Sequence, residues 1–230
     1  MLFSLHSYGP SLFTGTLLTL KVSVLALVLA IFLGFLGAIC KLSKSTLLRT
    51  ISQVYTTVIR GIPDLVLMLL IFFGGQVFVN QMALKVGYEE YIDINPFIAG
   101  VLTIGFIFGA YMTETFRGAI LAVSEGQLEA GSAFGMSKSQ VFLRILVPQM
   151  MRHALPGFGN NYLVLIKSTA LVSIIGLDDL VRKAGLAAGA TRMPFTFYLT
   201  VAFVFLIITS LSGVVLSWLE RKYSVGVIKA

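Results

Sequence analysis

The chain is short of charge. Asp, Glu, Lys and Arg make up 12% of its 230 residues, and 57% are hydrophobic. A soluble domain carries about twice that charged fraction. With a mean hydropathy of +0.93, the composition is that of a polytopic membrane protein. Cysteine is nearly missing: Cys40 alone excludes an intrachain disulfide framework and a cysteine-rich metal site. Histidine is equally scarce. His6 and His153 are far apart, no cluster of His, Cys and acids has metal-ligand spacing, and no Ser-His-acid spacing supports a hydrolase. A G-x-x-x-x-G-K-[ST] phosphate loop is absent too, which excludes ATP binding by that route. Internal repeats, low-complexity tracts and linkers are lacking, so residues 1–230 read as a single domain. The N-terminus has no basic n-region, and the apolar run from Val22 to Ile39 outlasts the core of a usual cleaved signal.

Long apolar runs are what the chain does have. A membrane helix needs about 20 apolar residues. Five segments qualify, roughly 12–39, 54–79, 97–122, 155–177 and 195–219. In the first, the stretch before Lys21 is expected at the interface and the steeper span after it. The net charge of +7 lies between these runs, where it reads as topology rather than nucleic-acid binding. Loop 40–53 carries Lys41, Lys44 and Arg49 and no acid, whereas loop 80–95 carries Lys85 against Glu89, Glu90 and Asp93. The positive-inside rule then sets the N-terminus outside and the C-terminus inside. Segment 123–154 and the tail, with Arg221, Lys222 and Lys229, fall inside. Loop 178–194, with Arg182, Lys183 and Arg192, runs mildly against the rule.

One polar, glycine-punctuated stretch interrupts this pattern: EAGSAFGMSKSQVFLRILVP, Glu129 to Pro148. Gly135 suits a positive φ that ends a first short helix. Ser137 suits the cap of a second, which carries Val141, Phe142, Ile145 and Leu146 at helical spacing. Pro148 is expected to limit that helix. The pair forms a knob standing off the membrane, either an ordinary interfacial helix pair or a docking element.

Glu129, Ala130, Gly131, Gly135, Ile145 and Pro148 have the spacing of the EAA loop and resemble that loop in the permease subunits of ABC importers, with Gly131 where Ala is usual. Ile59–Gly74 (IRGIPDLVLMLLIFFG), Gly109–Ile120 (GAYMTETFRGAI) and Ala154–Leu180 resemble span sequences of the polar amino-acid permeases of that family. The resemblance covers almost the whole chain. It implies an all-α, type I importer permease fold of about five spans in a bacterial inner membrane. It implies that the loop at about 124–148 couples the spans to a separate ATP-binding subunit dimer. ATP and Mg then belong to that partner, and this chain binds no cofactor. It further implies a path shared with a paralogous M-type permease subunit or a second copy, a periplasmic amino-acid-binding protein above, surrounding lipid, and basic amino acids as substrates. Glutamine or another polar amino acid is the alternative.

Ionisable groups in spans are expensive and need a partner or a wet cavity. Glu114 and Arg117 are three apart and share a face. They form either a local ion pair or part of the path, with Glu114 facing a cationic substrate and Arg117 tuning it. Lys167, Ser168 and Thr169, with Asn160 and Asn161, make the fourth span unusually polar. They serve interhelical hydrogen bonding or line the path, and Glu114 is a candidate to neutralise Lys167. Arg60, Gly61, Pro63 and Asp64 form a plain helix start or a hinge or gate at the cytoplasmic start of the second span. Gly34, Gly37, Gly100, Gly105 and Gly109 mark close helix packing. A different class of function, an ion-coupled carrier working alone, would use Glu114 and Lys167 as a relay. The lack of a repeat argues against it.

Overall fold

A computed structural model of the chain describes residues 7–223. His6 and the tail beyond Tyr223, including Lys229, lie outside them. The described residues form helices α1 (Gly9–Leu42), α2 (Thr46–Gly61), α3 (Asp64–Lys85), α4 (Pro96–Leu121), α5 (Glu125–Ala133), α6 (Lys138–Val141), α7 (Val147–Ser168), α8 (Leu180–Thr191) and α9 (Pro194–Tyr223). A π-turn at Phe142–Leu146 joins α6 to α7, and a 3₁₀ turn at Thr169–Ser173 follows α7.

Four helices, α1, α3, α4 and α9, are long and apolar enough to cross a membrane. The fifth expected span, 155–177, falls on α7, which is as long as α3 but too polar to qualify by composition. Its packing nevertheless carries it along the whole of α4, in the opposite direction. Gly157 and Asn161 lie at Thr115, and Val172 lies at Gly100.

The bundle is organised on α4. Asn95 caps it, accepting from the backbone N–H of Phe97 at 2.8 Å, with Pro96 in the first turn. Helix α1 runs parallel to it and presents a stripe of small residues, Ser23, Ala26, Ala30, Gly34 and Ala38, all buried. Where lipid is as apolar as the side chains, close backbone approach and dispersion hold helices together. Gly105 and Gly109 allow it from the α4 side: an added Cβ would lie 2.6 Å from Leu29 Cδ2 and 2.8 Å from Leu33 Cβ. The packing role expected of these glycines is met. The opposite face of α1, with Phe13, Val28 and Phe32, is exposed and suits lipid.

Three expectations about the elements need correction. Helix α1 is continuous from Gly9 to Leu42. Its length brings Lys41, assigned above to a loop, inside the bundle. The stretch 40–53 is therefore mostly helix. The second span is also not one helix. α2 ends at Gly61 and α3 starts at Asp64, because Pro63 holds an extended backbone ahead of α3. The break sets Asp64 at Ser168 of α7 and Arg60 at Tyr111 of α4. Finally, Pro148 does not limit the second short helix. The π-turn bonds the Val147 N–H to the Phe142 carbonyl, five residues back, and the helix passes through Pro148 into α7. Changing the ladder register just before proline removes the usual conflict with the carbonyl four residues earlier.

At the other end, α8 wedges between the start of α1 and α9 around Leu12, Leu180, Ala184 and Phe197. Asp179 caps α8, accepting from the Arg182 N–H at 2.9 Å. Thr19 Oγ1 accepts the Leu180 N–H at 3.3 Å. Residues 92–94 are clasped onto α3: Asn80 Oδ1 accepts from the Ile92 N–H at 2.8 Å and Gln76 Oε1 from the Ile94 N–H at 2.9 Å.

Candidate translocation path and coupling surface

Glu114 sits at the centre of a three-charge cluster. It accepts from Arg117 Nε at 3.0 Å, the expected pair three residues apart, and it is also paired with Lys41 of α1. Lys41 in turn donates to Thr56 of α2 at 2.7 Å. Only 9% of the Lys41 side chain is exposed, so its charge depends on these partners. The cluster ties α1, α2 and α4 together. Lys41 is the residue that sequence reasoning missed. Its one signal was a cation directly after an apolar run.

Lys167 does not meet Glu114. It is exposed on α7 and forms no ion pair among the described residues. His153, Pro156, Asn160 and Val164 are exposed with it, at spacings of three and four, so one stripe of α7 faces out of the fold. Asn161 points the other way: its Nδ2 donates to Thr115 Oγ1 at 2.9 Å and bonds α7 to α4. Thr169 is fully buried and donates to the Ile166 carbonyl at 2.6 Å.

The break between α2 and α3 brings Asp64 to α7. Ser168 Oγ donates to Asp64 Oδ2 at 3.4 Å. Asp64 forms no ion pair within 4.0 Å among the described residues, in contrast to Glu114. Arg60 lies over the Tyr111 ring, 5.5 Å from its centroid. Gly61 has open space where a Cβ would be. A cavity of about 700 Å³ opens here, lined by Arg60, Gly61 and Tyr111 at one end and by Lys41, Glu114 and Arg117 at the other.

The Glu129–Pro148 stretch folds as a helix-turn-helix knob. Gly135 takes a φ of +80°, as expected, and ends the turn after α5. Ser137 caps α6 in a reciprocal box with Gln140, with the Ser137 N–H donating to Gln140 Oε1 at 2.8 Å. Gly131 is buried inside the knob, with Ile145 Cδ1, Met136 and Val141 over it. The smallness at this position thus serves packing within the knob. Glu129, Ala130, Ala133 and Phe134 are exposed on the outer face, Phe134 at 90%.

The fold and knob define an importer permease. The chain belongs to the family of binding-protein-dependent transport system inner membrane components, which matches residues 26–225. It is a multi-pass inner-membrane protein and the permease component of an ABC importer. Among its relatives is the histidine/lysine/arginine/ornithine transport system permease protein HisQ of Escherichia coli strain K12. The two are 50% identical over 226 residues, 98% of this chain and 99% of that protein. The octopine transport system permease protein OccQ of Rhizobium radiobacter is 40% identical, covering 96% of this chain and 93% of its own. A solved structure described as an amino acid ABC transporter with histidines superposes at a TM-score of 0.81 with 32% identity, covering 96% of this chain and 98% of the other. An inward-facing MetNI methionine ABC transporter shares the fold at a TM-score of 0.64 and 15% identity.

Proposed function

We propose that the chain carries basic amino acids (histidine, arginine, lysine and ornithine) across the inner membrane by alternating access. The path is shared with a paralogous M-type permease subunit or a second copy. A periplasmic binding protein delivers the substrate, and a dimer of ATP-binding subunits, holding ATP and Mg, drives the cycle. α7 serves as a fifth span, with the N-terminus outside and the C-terminus inside. That orientation puts the α5–α6 knob on the cytoplasmic side, where its exposed Glu129–Phe134 face meets the ATP-binding subunit.

The observation that carries the substrate class is Asp64. It is a half-buried carboxylate at a helix break, held by one serine hydroxyl and forming no ion pair among the described residues. An unneutralised acid there suits an ammonium, guanidinium or imidazolium group from the substrate. Glu114 is already committed to Lys41 and Arg117, so the cation-binding role expected of it passes to Asp64, with Ser168 beside it on α7. Arg60, Gly61 and Pro63 act as the hinge.

The test is ATP hydrolysis and uptake in proteoliposomes holding the chain, its permease partner and the ATPase, with binding protein loaded with histidine, arginine or glutamine. Basic ligands stimulate both, and Asp64→Asn lowers arginine uptake at least tenfold while the assembly stays intact. Stimulation by glutamine alone would refute the substrate class and leave the importer reading standing. An ATPase absent after co-purification would refute the coupling.

A further inference from the structure

Two opposite charges flank the α2–α3 break, and neither has an ion pair among the described residues. Arg60 stands in the last turn of α2 and Asp64 in the first turn of α3. Asp64 has a single hydrogen bond, from Ser168. Arg60 rests on the Tyr111 ring and has no hydrogen bond among the described residues. In a continuous helix an arginine and an aspartate four apart would pair with each other. Here Ile62 and Pro63, both extended, come between them and hold them apart. Both charges nevertheless act on the Tyr111 hydroxyl. Two uncommitted charges are costly in a membrane protein. A ligand that carries both signs removes the cost of both.

An amino acid is such a ligand. Arg60 is exposed and lines the end of the cavity at Gly61 and Tyr111. A cation–π contact steadies a guanidinium while leaving its five N–H donors free. That fork matches a carboxylate bidentately. The other cations of the cavity are less suited. Lys41 and Arg117 are bound to Glu114. Arg49 lies eleven residues before Arg60 on α2, roughly 16 Å away at 1.5 Å per residue, too far for one amino acid to bridge it to Asp64. We infer that Arg60 holds the α-carboxylate of the transported amino acid while Asp64 holds a cationic group of the same molecule. Resting on the transport function proposed above, this pairing adds a requirement for a free carboxylate, which the positive charge of the substrate does not impose. The break keeps the two charges from neutralising each other and so keeps both available.

The test is direct binding of radiolabelled arginine and agmatine to the assembled importer in detergent, without binding protein. Agmatine keeps both cationic groups of arginine and lacks only the carboxylate. Wild type is expected to bind agmatine about tenfold more weakly than arginine, the scale of one charge-assisted contact. Arg60→Gln lowers arginine affinity to the level of agmatine and leaves agmatine affinity unchanged. Arg60→Lys, which keeps the charge without the fork, falls between. Asp64→Asn weakens both ligands alike. Equal wild-type affinities for the two ligands, or no saturable binding of arginine, overturn the carboxylate role without recourse to any variant. Equal losses of both ligands in Arg60→Gln overturn it too, since a purely structural arginine would act that way. Arginine and agmatine binding that Asp64→Asn leaves intact refutes the cation site at Asp64 instead, and the ligand difference in Arg60→Gln then decides Arg60 by itself.

Discussion

Two glycines show how unequal the demands on single positions are. A Cβ on Gly15 would lie 3.0 Å from the Asp179 carbonyl carbon, its oxygen and Leu180 Cα, all backbone atoms that cannot turn aside. Gly15→Ala is expected to cost about 1–3 kcal/mol through this overlap, read as a lower melting temperature of the assembled importer. Gly61→Ala, with nothing within 4 Å, should stay within about 0.5 kcal/mol. The Lys41–Glu114–Arg117 cluster makes a similar point about charge. Glu114→Gln leaves Lys41 buried without its acid, so the variant should lose stability as well as uptake. Adding Lys41→Met should recover part of that stability. A double-mutant cycle on melting should show a coupling of about 1–3 kcal/mol between the two sites. Additive losses would mean that the pair contributes nothing.

Among the elements, α8 carries a pH dependence. Asp179, its cap, is fully buried, and its second oxygen has no hydrogen-bond partner among the described residues. Burial pushes its carboxyl up to about 6, against the N–H groups of Arg182 and Val181 that pull it down. The folded state then holds a proton that the unfolded chain releases near pH 4. Stability from this group is greatest at low pH and declines as pH rises from about 4 to about 6. Asp179→Asn should flatten that slope, measured as the variant-minus-wild-type melting temperature across the window. The knob gives the companion case. Gly135 at φ +80° disfavours a side chain by about 1–2 kcal/mol. Gly135→Val should therefore lower binding-protein-stimulated transport more than it lowers basal ATP hydrolysis. The knob was partly legible in the sequence, through Gly135 and Ser137, because local chemistry determines it, whereas α8 was not, since 178–194 was read as a loop. Pro148 misled because the rule for proline assumes an α-helical ladder, and the π-turn just before it changes the register.

On the scale of the whole molecule, the long motif matches carried the family and the apolar runs carried four of the helices. What the sequence hid was the pairing. Lys41 looked like a loop cation because the apolar run ends at Ile39, whereas α1 continues to Leu42 and brings Lys41 to Glu114. Lys167 looked like the partner of Glu114 because both lie in expected spans, yet they end on different faces of the bundle. The α2–α3 break was read as a helix start because Arg60–Asp64 shows Pro and Gly but not the helix that precedes them. These facts depend on which helix packs against which, and span composition does not encode it.

The passage of the helix through Pro148 has a mechanical consequence. From Lys138 to Ser168 the backbone is one continuous helix, changing register at the π-turn beside the knob and lacking one ladder bond at Pro156. It is a lever arm of about 45 Å at 1.5 Å per residue, and a tilt of about 5° at the knob would sweep the far end through about 4 Å. That far end is Ser168, the residue that donates to Asp64. A small rotation imposed at the knob is thus enough to part a 3.4 Å hydrogen bond at the far end of the rod.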